Sequence, residues 1–434
     1  MTIHPALPVK IRYTDNGMFI GTSLIFLYIF SFYIIGPVTS SILAALIVFP
    51  YFLRRKAFKS LYASFCSKYI IGIFAIILGL ISLCIAYSLA HQTYDLSYAK
   101  ILFAQAIHII CGVIVLGYLK YKYDFDIQTI IKIIIWAYLI QSLIEIVASC
   151  TPAIASIVTY FSRAESDQEK SGGVRGLALA SGTTWSLGLT YGMAFILYVH
   201  HFMLDKLNFK IVIGWFLLVL GTFFAGRTGF VGAAISLAYF FLFSKINIIK
   251  RASLPFYFIG ILLGIAMLMY ILFPDYTEYM ITTVLPWAIE PLLNYLDGKG
   301  LSSASTDVLD TMWDRPMTDM EFLFGTGFFT GIDGKYYLHT DVGVLRNLFY
   351  WGIGGYMSLI FYQIYTMYPL FKNGGKYIIL GLMLLLYLSV CEYKAVTIGL
   401  NKMAFSMLFV MSFFSQSKTN DKHHHTLLQR RTTH

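Results

Sequence analysis

Charge is scarce in this chain, and that scarcity excludes more than any motif it contains. Only 12% of its 434 residues are Asp, Glu, Lys or Arg, against roughly 25% in soluble globular domains, so a water-soluble enzyme is excluded. Cysteine is limited to Cys66, Cys84, Cys111, Cys150 and Cys391, each in or beside an apolar segment. They form no disulfide framework, and a bond between Cys150 and Cys391 is not expected. Paired Cys/His spacings of a metal site are missing, as is a P-loop, so no metal and no cofactor is expected. His423-His424-His425, in the charged tail, reads as solvated sequence. Basic residues are scattered through short connections rather than gathered on one module, which argues against a nucleic-acid partner. No internal repeat is apparent, which counts against transporters built on inverted repeats.

What is present is apolar sequence. Hydrophobic residues make up 58%, in runs long enough to cross about 30 Å of hydrocarbon as helices. Backbone groups there need internal partners, which leaves helices as the spanning element. The expected fold is an all-α polytopic membrane protein of about twelve spans: Met18–Ile35, Val38–Leu53, Tyr69–Ala90, Ile101–Leu119, Thr129–Cys150, Leu177–Val199, Ile211–Ala225, Gly229–Phe243, Leu254–Phe273, Asn347–Pro369, Tyr377–Cys391 and Ala395–Phe414. Gly36-Pro37 makes the first two a tight hairpin. The first span lacks a cleavage site of the signal-peptide kind and is expected to be retained. Spans one to nine thus occupy 1–273, a large loop 274–345, spans ten to twelve 346–414, and a polar tail 415–434.

Lys and Arg set the orientation. With a cytoplasmic N-terminus, 21 of the 32 basic residues fall on one side and 16 of the 22 carboxylates on the other. The positive-inside rule then places both termini in the cytoplasm and the long loop outside. Most of the net charge of +10 is therefore an orientation signal. The outer minority comprises Lys100, Arg163, Lys170, Arg175, Arg227, Lys299, Arg315, Lys335, Arg346, Lys394 and Lys402.

Three of these stand at span edges. Arg175 opens the sixth span after Gly172-Gly173, Arg227 fills the Gly226-Arg227-Thr228-Gly229 turn, and Arg346 opens the tenth. Each alone reads equally well as a side chain reaching for headgroups. Three at one depth beside glycines favour a shared anionic ligand, because glycine admits close backbone approach and guanidinium groups fork onto phosphate oxygens. The long loop ends in Gly325-Thr326-Gly327 and Leu338-His339-Thr340-Asp341. A lone exposed histidine is more often structural. Here His339, with Asp341 near enough to orient its ring, could take a proton from a sugar hydroxyl. Glu145 lies toward the outer end of the fifth span, Glu392 and Lys394 between the last two, and Lys402 inside the twelfth; ions within spans are functional by default, with a buried Glu–Lys packing pair as the competing reading.

The loop also reads as structured. Tyr276–Leu296 has near-helical apolar spacing interrupted by Pro286 and Pro291, as expected of a kinked helix on the membrane surface. Thr306–Trp313 reads as a second short helix capped near Ser305 or Asp307. Trp287, Trp313, Tyr336 and Tyr337 serve as interface anchors or as sugar-stacking faces.

The glycine-flanked arginine before a central span, the Gly-Arg-Thr-Gly turn, the outer loop ending Gly-Thr-Gly then His-Thr-Asp, and Tyr350-Trp351-Gly352-Ile353-Gly354-Gly355 together resemble the Wzy polymerases and the related O-antigen ligases. The resemblance is specific over about 175–229 and 324–355. It implies a GT-C-like glycosyltransferase of the bacterial inner membrane with a periplasmic active site. Its donor and acceptor would be undecaprenyl-pyrophosphate-linked glycans, with membrane lipids around it and a chain-length regulator as an open partner. Ligases commonly read His-Asn where this chain has His339-Thr340-Asp341, which leans toward a polymerase. On that reading Arg175, Arg227 and Arg346 hold the donor pyrophosphate, Arg315 grips phosphate or sugar, and His339 with Asp341 accepts the acceptor proton. Arginines can neutralise a pyrophosphate leaving group without a metal. The alternatives are a ligase passing glycan to lipid A core and a lipid-linked oligosaccharide flippase.

Overall fold

The computed structural model describes residues 15–163 and 176–416, apart from 273, 280, 283, 284, 299, 301, 302 and 332. The tail from 417 onward lies outside the described residues. Helices dominate, and the one two-stranded sheet among the described residues is a hairpin in which Tyr33–Ile35 pairs with Val38–Thr39 around Gly36-Pro37. Lys68–Ala90, Ser97–Tyr123, Ile127–Cys150 and Ile248–Met267 are long and apolar enough to cross a membrane. Asp15–Phe30, Ser40–Leu53, Pro152–Ser162, Phe209–Ala225, Thr228–Phe243 and Lys402–Ser415 are shorter apolar helices.

Two short helices form the hub. Every residue from Met403 to Ser415 is buried, as are Leu187 to Tyr198 of the Trp185–Tyr198 helix. The Trp185–Tyr198 helix packs most extensively on Thr228–Phe243. There a Cβ on Gly232 would lie 2.1 Å from Gly192 Cα, so small residues set the interhelical distance as they do in membrane bundles. At 14 residues the Lys402–Ser415 helix is about 21 Å long at 1.5 Å per residue, too short to traverse the hydrocarbon alone.

Both hub helices start later than the apolar pattern suggests. The expected span Leu177–Val199 becomes helical only at Trp185. Before it, Ser181, Gly182, Thr183 and Thr184 form turns, residue types whose side chains or lack of one compete with a helix. The expected span Ala395–Phe414 becomes helical only at Lys402, where Asn401 accepts from the Ala404 N–H at 3.0 Å. Before it, residues 393–401 follow the Lys376–Glu392 helix and fold into a turn, buried from Thr397 onward, over the carboxylate of Glu392, which accepts from Thr397 N at 2.6 Å and Ile398 N at 2.8 Å. Non-helical backbone among apolar helices is tolerated where protein satisfies its N–H groups, as Glu392 does here.

The Gly343–Lys372 helix is broken at Gly352, which has φ +62. The break frees carbonyls of Phe349 and Tyr350, and the Gly325-Thr326-Gly327 segment takes them: Thr326 N and Oγ1 donate to Phe349 O, and Gly327 N donates to Tyr350 O. A Cβ at Gly352 would sit 2.4 Å from Leu323 O, so only glycine allows this contact. The first two turns of the helix, carrying Arg346 and Asn347, thereby become a separate short piece held against the loop.

The long connecting segment is helical in pieces. Pro274–Tyr279, Leu285–Ala288 and Glu290–Leu296 replace one kinked helix, each proline lying where an interior N–H would otherwise be needed. The second short helix begins earlier than expected, at Ala304, because Ser303 and Thr306 form a reciprocal capping box. This Ala304–Trp313 helix contributes Leu309 to a small core with Val342, Leu345 and Phe349. Trp313 stacks on Tyr393 at 4.5 Å, and Tyr337 stacks on Phe328 at 5.3 Å, so both rings are occupied by protein. The Trp287 side chain lies outside the described residues.

Candidate functional site

Three helix N-termini open onto one cavity. It has a volume of about 700 Å³ and is lined by Thr184, Trp185 and Ser186 from one hub helix, Asn401 and Lys402 from the other, and Asp341 and Arg346 around the start of the Gly343–Lys372 helix. The 393–401 turn contributes Lys394. Unpaired N–H groups at helix starts carry partial positive charge, so converging them favours an anion. Arg346, Lys394 and Lys402 add three cations against the single carboxylate of Asp341.

Arg346 is the most constrained of these groups. It is 8% exposed, and its guanidinium lies 3.5 Å from the Tyr336 ring centre and 4.1 Å from that of Phe329. Stacking of this kind holds the planar cation without using its N–H donors. Its Nε and Nη2 are buried with no hydrogen-bond partner among the described residues, and Trp185 Nε1 is in the same state. An unmatched buried donor costs about 1–3 kcal/mol. Three on residues lining one cavity fit a site that an acceptor-rich ligand completes.

The clamp on Arg346 is fixed from a distant loop. Asp95, between the Lys68–Ala90 and Ser97–Tyr123 helices, accepts from Phe329 N at 2.7 Å, Thr330 N at 2.8 Å and Ser97 N at 2.9 Å. Thr93 Oγ1 donates to Gly327 O at 3.0 Å and Tyr350 Oη to Asp95 O at 3.1 Å. Burial would raise the Asp95 carboxyl, but hydrogen bonds from Ser97, Thr330 and Phe329 outweigh it and hold the group below its ordinary 3.8. A depressed carboxylate contributes stability above its unfolded value and loses that contribution as pH falls through the folded one. The loop should therefore stay docked from neutral pH down to about pH 4 and loosen only below that, as read by amide hydrogen exchange at Phe329 and Thr330. In Asp95→Ala those two amides should exchange about 10- to 100-fold faster at neutral pH.

A second buried network holds the other wall. Tyr98 Oη donates to Asn347 Oδ1, and Asn347 Nδ2 donates to Glu392 Oε1 at 2.6 Å. Glu392 thus joins the Arg346-bearing helix to the 393–401 turn.

The remaining sites expected from sequence are dispersed. Arg227 directly precedes the Thr228–Phe243 helix and donates to Glu290 at 2.7 Å, tethering the Glu290–Leu296 helix; it does not line the cavity. Arg315 follows the Ala304–Trp313 helix, outside the cavity lining, with its Nε buried and unpartnered among the described residues. Arg175 lies outside the described residues, with Gly172-Gly173. His339 is exposed, does not line the cavity, and sits with Nε2 3.2 Å from Asp333. Leu338 and His339 both have positive φ, 53 and 54, and this reversal turns the chain so that Asp333 rather than Asp341 meets the ring. Glu145 is buried against Tyr191 at 3.0 Å and Gln141 at 3.3 Å rather than a lysine. Sequence reasoning did not single out Asp95, Asn401 or Trp185 for the site. Only Asn401 carried a local signal, as an Asn three residues before Ala404 in cap position.

No family model matches the chain, and neither a curated protein nor a solved structure matches it.

Proposed function

We propose that this protein is a membrane glycosyltransferase that polymerises undecaprenyl-pyrophosphate-linked oligosaccharide repeats at the outer face of the bacterial inner membrane. The observation that carries this reading is the buried Arg346 guanidinium, held by two rings with donors unmatched, beside Lys394, Lys402 and three helix N-termini. A diphosphate offers the acceptor oxygens and charge that such a cavity lacks. Trp185 lines the same cavity, with Lys394 Nζ 5.9 Å from its ring centre.

The acceptor hydroxyl attacks the anomeric carbon of the donor glycan. The carbon–oxygen bond to pyrophosphate breaks, and undecaprenyl pyrophosphate leaves with both electrons. Arg346, Lys402 and Lys394 stabilise charge gathering on the leaving oxygens. Asp341 is the carboxylate in the cavity and takes the proton released by the hydroxyl. His339, paired with Asp333, secures the turn that carries Tyr336 over Arg346.

The test is reconstitution of the purified protein with one synthetic lipid-linked repeat. The expected products are a ladder of multiples of the repeat and free undecaprenyl pyrophosphate. Transbilayer movement without elongation would mark a flippase, and transfer only to lipid A core a ligase. Asp341→Asn should lower the elongation rate about 10²-fold or more at unchanged membrane level, whereas His339→Ala should lower it by less than Asp341→Asn.

A further inference from the structure

A second cavity lies where other helix ends meet. It measures about 630 Å³ and brings together Lys68 at the start of Lys68–Ala90, Lys372 at the end of Gly343–Lys372, and Gln416 just after Lys402–Ser415. The long helices Lys68–Ala90 and Gly343–Lys372 each run from this end toward the segments that build the first cavity, so the two cavities occupy opposite ends of the bundle. Neither Lys68 nor Lys372 forms an ion pair among the described residues. Lys68 and Lys372 thus line one hollow with no carboxylate partner among the described residues.

The surroundings of this hollow are those of a lipid interface. Tyr365 and Tyr368 form part of its wall. Phe361, Ile364 and Tyr368, spaced along one face of the same helix, are 57%, 44% and 54% exposed, an apolar strip leading away from the lysines. On the other flank the Arg55–Phe65 helix buries Ala57 and Leu61 and exposes Lys56, Lys59, Phe58 and Tyr62, the pattern of a helix lying in the headgroup plane. Ala63 and Cys66 carry that helix into the cavity wall.

We infer that this cavity is a binding site for the phosphodiester headgroup of an anionic phospholipid, separate from the proposed glycan site and independent of that reading. Lys68 and Lys372 hold the phosphate, and the acyl chains lie along Phe361, Ile364 and Tyr368. Basic pockets between membrane helices suit such headgroups. A free phosphate would meet the same two cations but would leave the apolar strip unused, which favours the lipid.

The experiment uses full-length protein purified in mild detergent and examined by native mass spectrometry with added phosphatidylglycerol, phosphatidylethanolamine or inorganic phosphate. The wild type should retain one phosphatidylglycerol in preference to phosphatidylethanolamine. Lys68→Gln with Lys372→Gln should weaken that retention about tenfold or more. The control pair Lys210→Gln with Lys250→Gln, exposed lysines elsewhere, should leave it unchanged. Gel-filtration profiles identify any variant that fails to fold, and single substitutions then replace the double one. Equal loss in both pairs, equal retention of both lipids, or displacement by millimolar phosphate without regard to chain length would overturn the proposal.

Discussion

Arg346→Ala is expected to reduce chain elongation by about 10²- to 10³-fold, the effect of removing a donor aimed at charge that develops in a transition state. The protein should still reach the membrane in normal amount, because the group removed is one whose Nε and Nη2 have no partner among the described residues. Arg346→Lys should recover little. A lysine keeps the charge but has neither the planar face for Tyr336 and Phe329 nor two parallel donors for a diphosphate. Arg346→Met separates binding from structure. Methionine fills the slot between the two rings and removes the unmatched donors, so thermal stability should stay within a few degrees while elongation is lost. A purely structural arginine would show the reverse, with stability and activity falling together. Ladder gels from cells, alongside melting of purified protein, distinguish the two.

The largest effect on stability is expected at Glu392. The residue is 1% exposed and its carboxylate takes three donors, Asn347 Nδ2, Thr397 N and Ile398 N. Glu392→Ala strands all three in a buried setting at about 1–3 kcal/mol each, for a loss of roughly 3–9 kcal/mol. At about 2–4 °C per kcal/mol this corresponds to a drop of about 10 °C or more in the unfolding midpoint of detergent-purified protein. Glu392→Gln keeps the shape and one acceptor oxygen, so its drop should be about half as large. If Glu392→Ala melted with the wild type, the 393–401 turn would not depend on this carboxylate.

Much of the fold was legible because apolar runs and breaker residues act locally. The turn at Gly36-Pro37, the all-helical character and a short helix ending at Trp313 follow from neighbours in sequence, whereas among the described residues four helices rather than the twelve expected spans are long and apolar enough to cross a membrane. The exceptions arise where a distant group overrides local preference. Ala395–Leu400 is apolar enough to read as membrane helix, yet Glu392 captures the Thr397 and Ile398 N–H groups and delays the helix to Lys402. Gly352 sits within an apolar run, and its break depends on the Gly325-Thr326-Gly327 segment meeting the freed carbonyls.

The site divides in the same way. Arg346 and Asp341 were legible because they flank the start of a helix beside glycines, and both line the cavity. Lys394 and Lys402 were visible as cations against the charge rule, but their approach to Arg346 is a tertiary event. Asp95 was illegible: its hydrogen bonds to Phe329 and Thr330 span 234 and 235 residues. The glycines beside Arg227 suggested backbone approaching a ligand. In the folded chain Gly226 and Gly229 instead admit the Trp185–Tyr198 helix, with Gly188 packed on Gly226.

The central claim is that Arg346 and its neighbours hold a lipid diphosphate. Equilibrium titration of full-length protein in nanodiscs with undecaprenyl pyrophosphate tests it most directly. The account predicts saturable binding at one site per chain, weakened about 10²-fold by Arg346→Ala and little changed by His339→Ala. Equal affinity in the wild type and Arg346→Ala would contradict it.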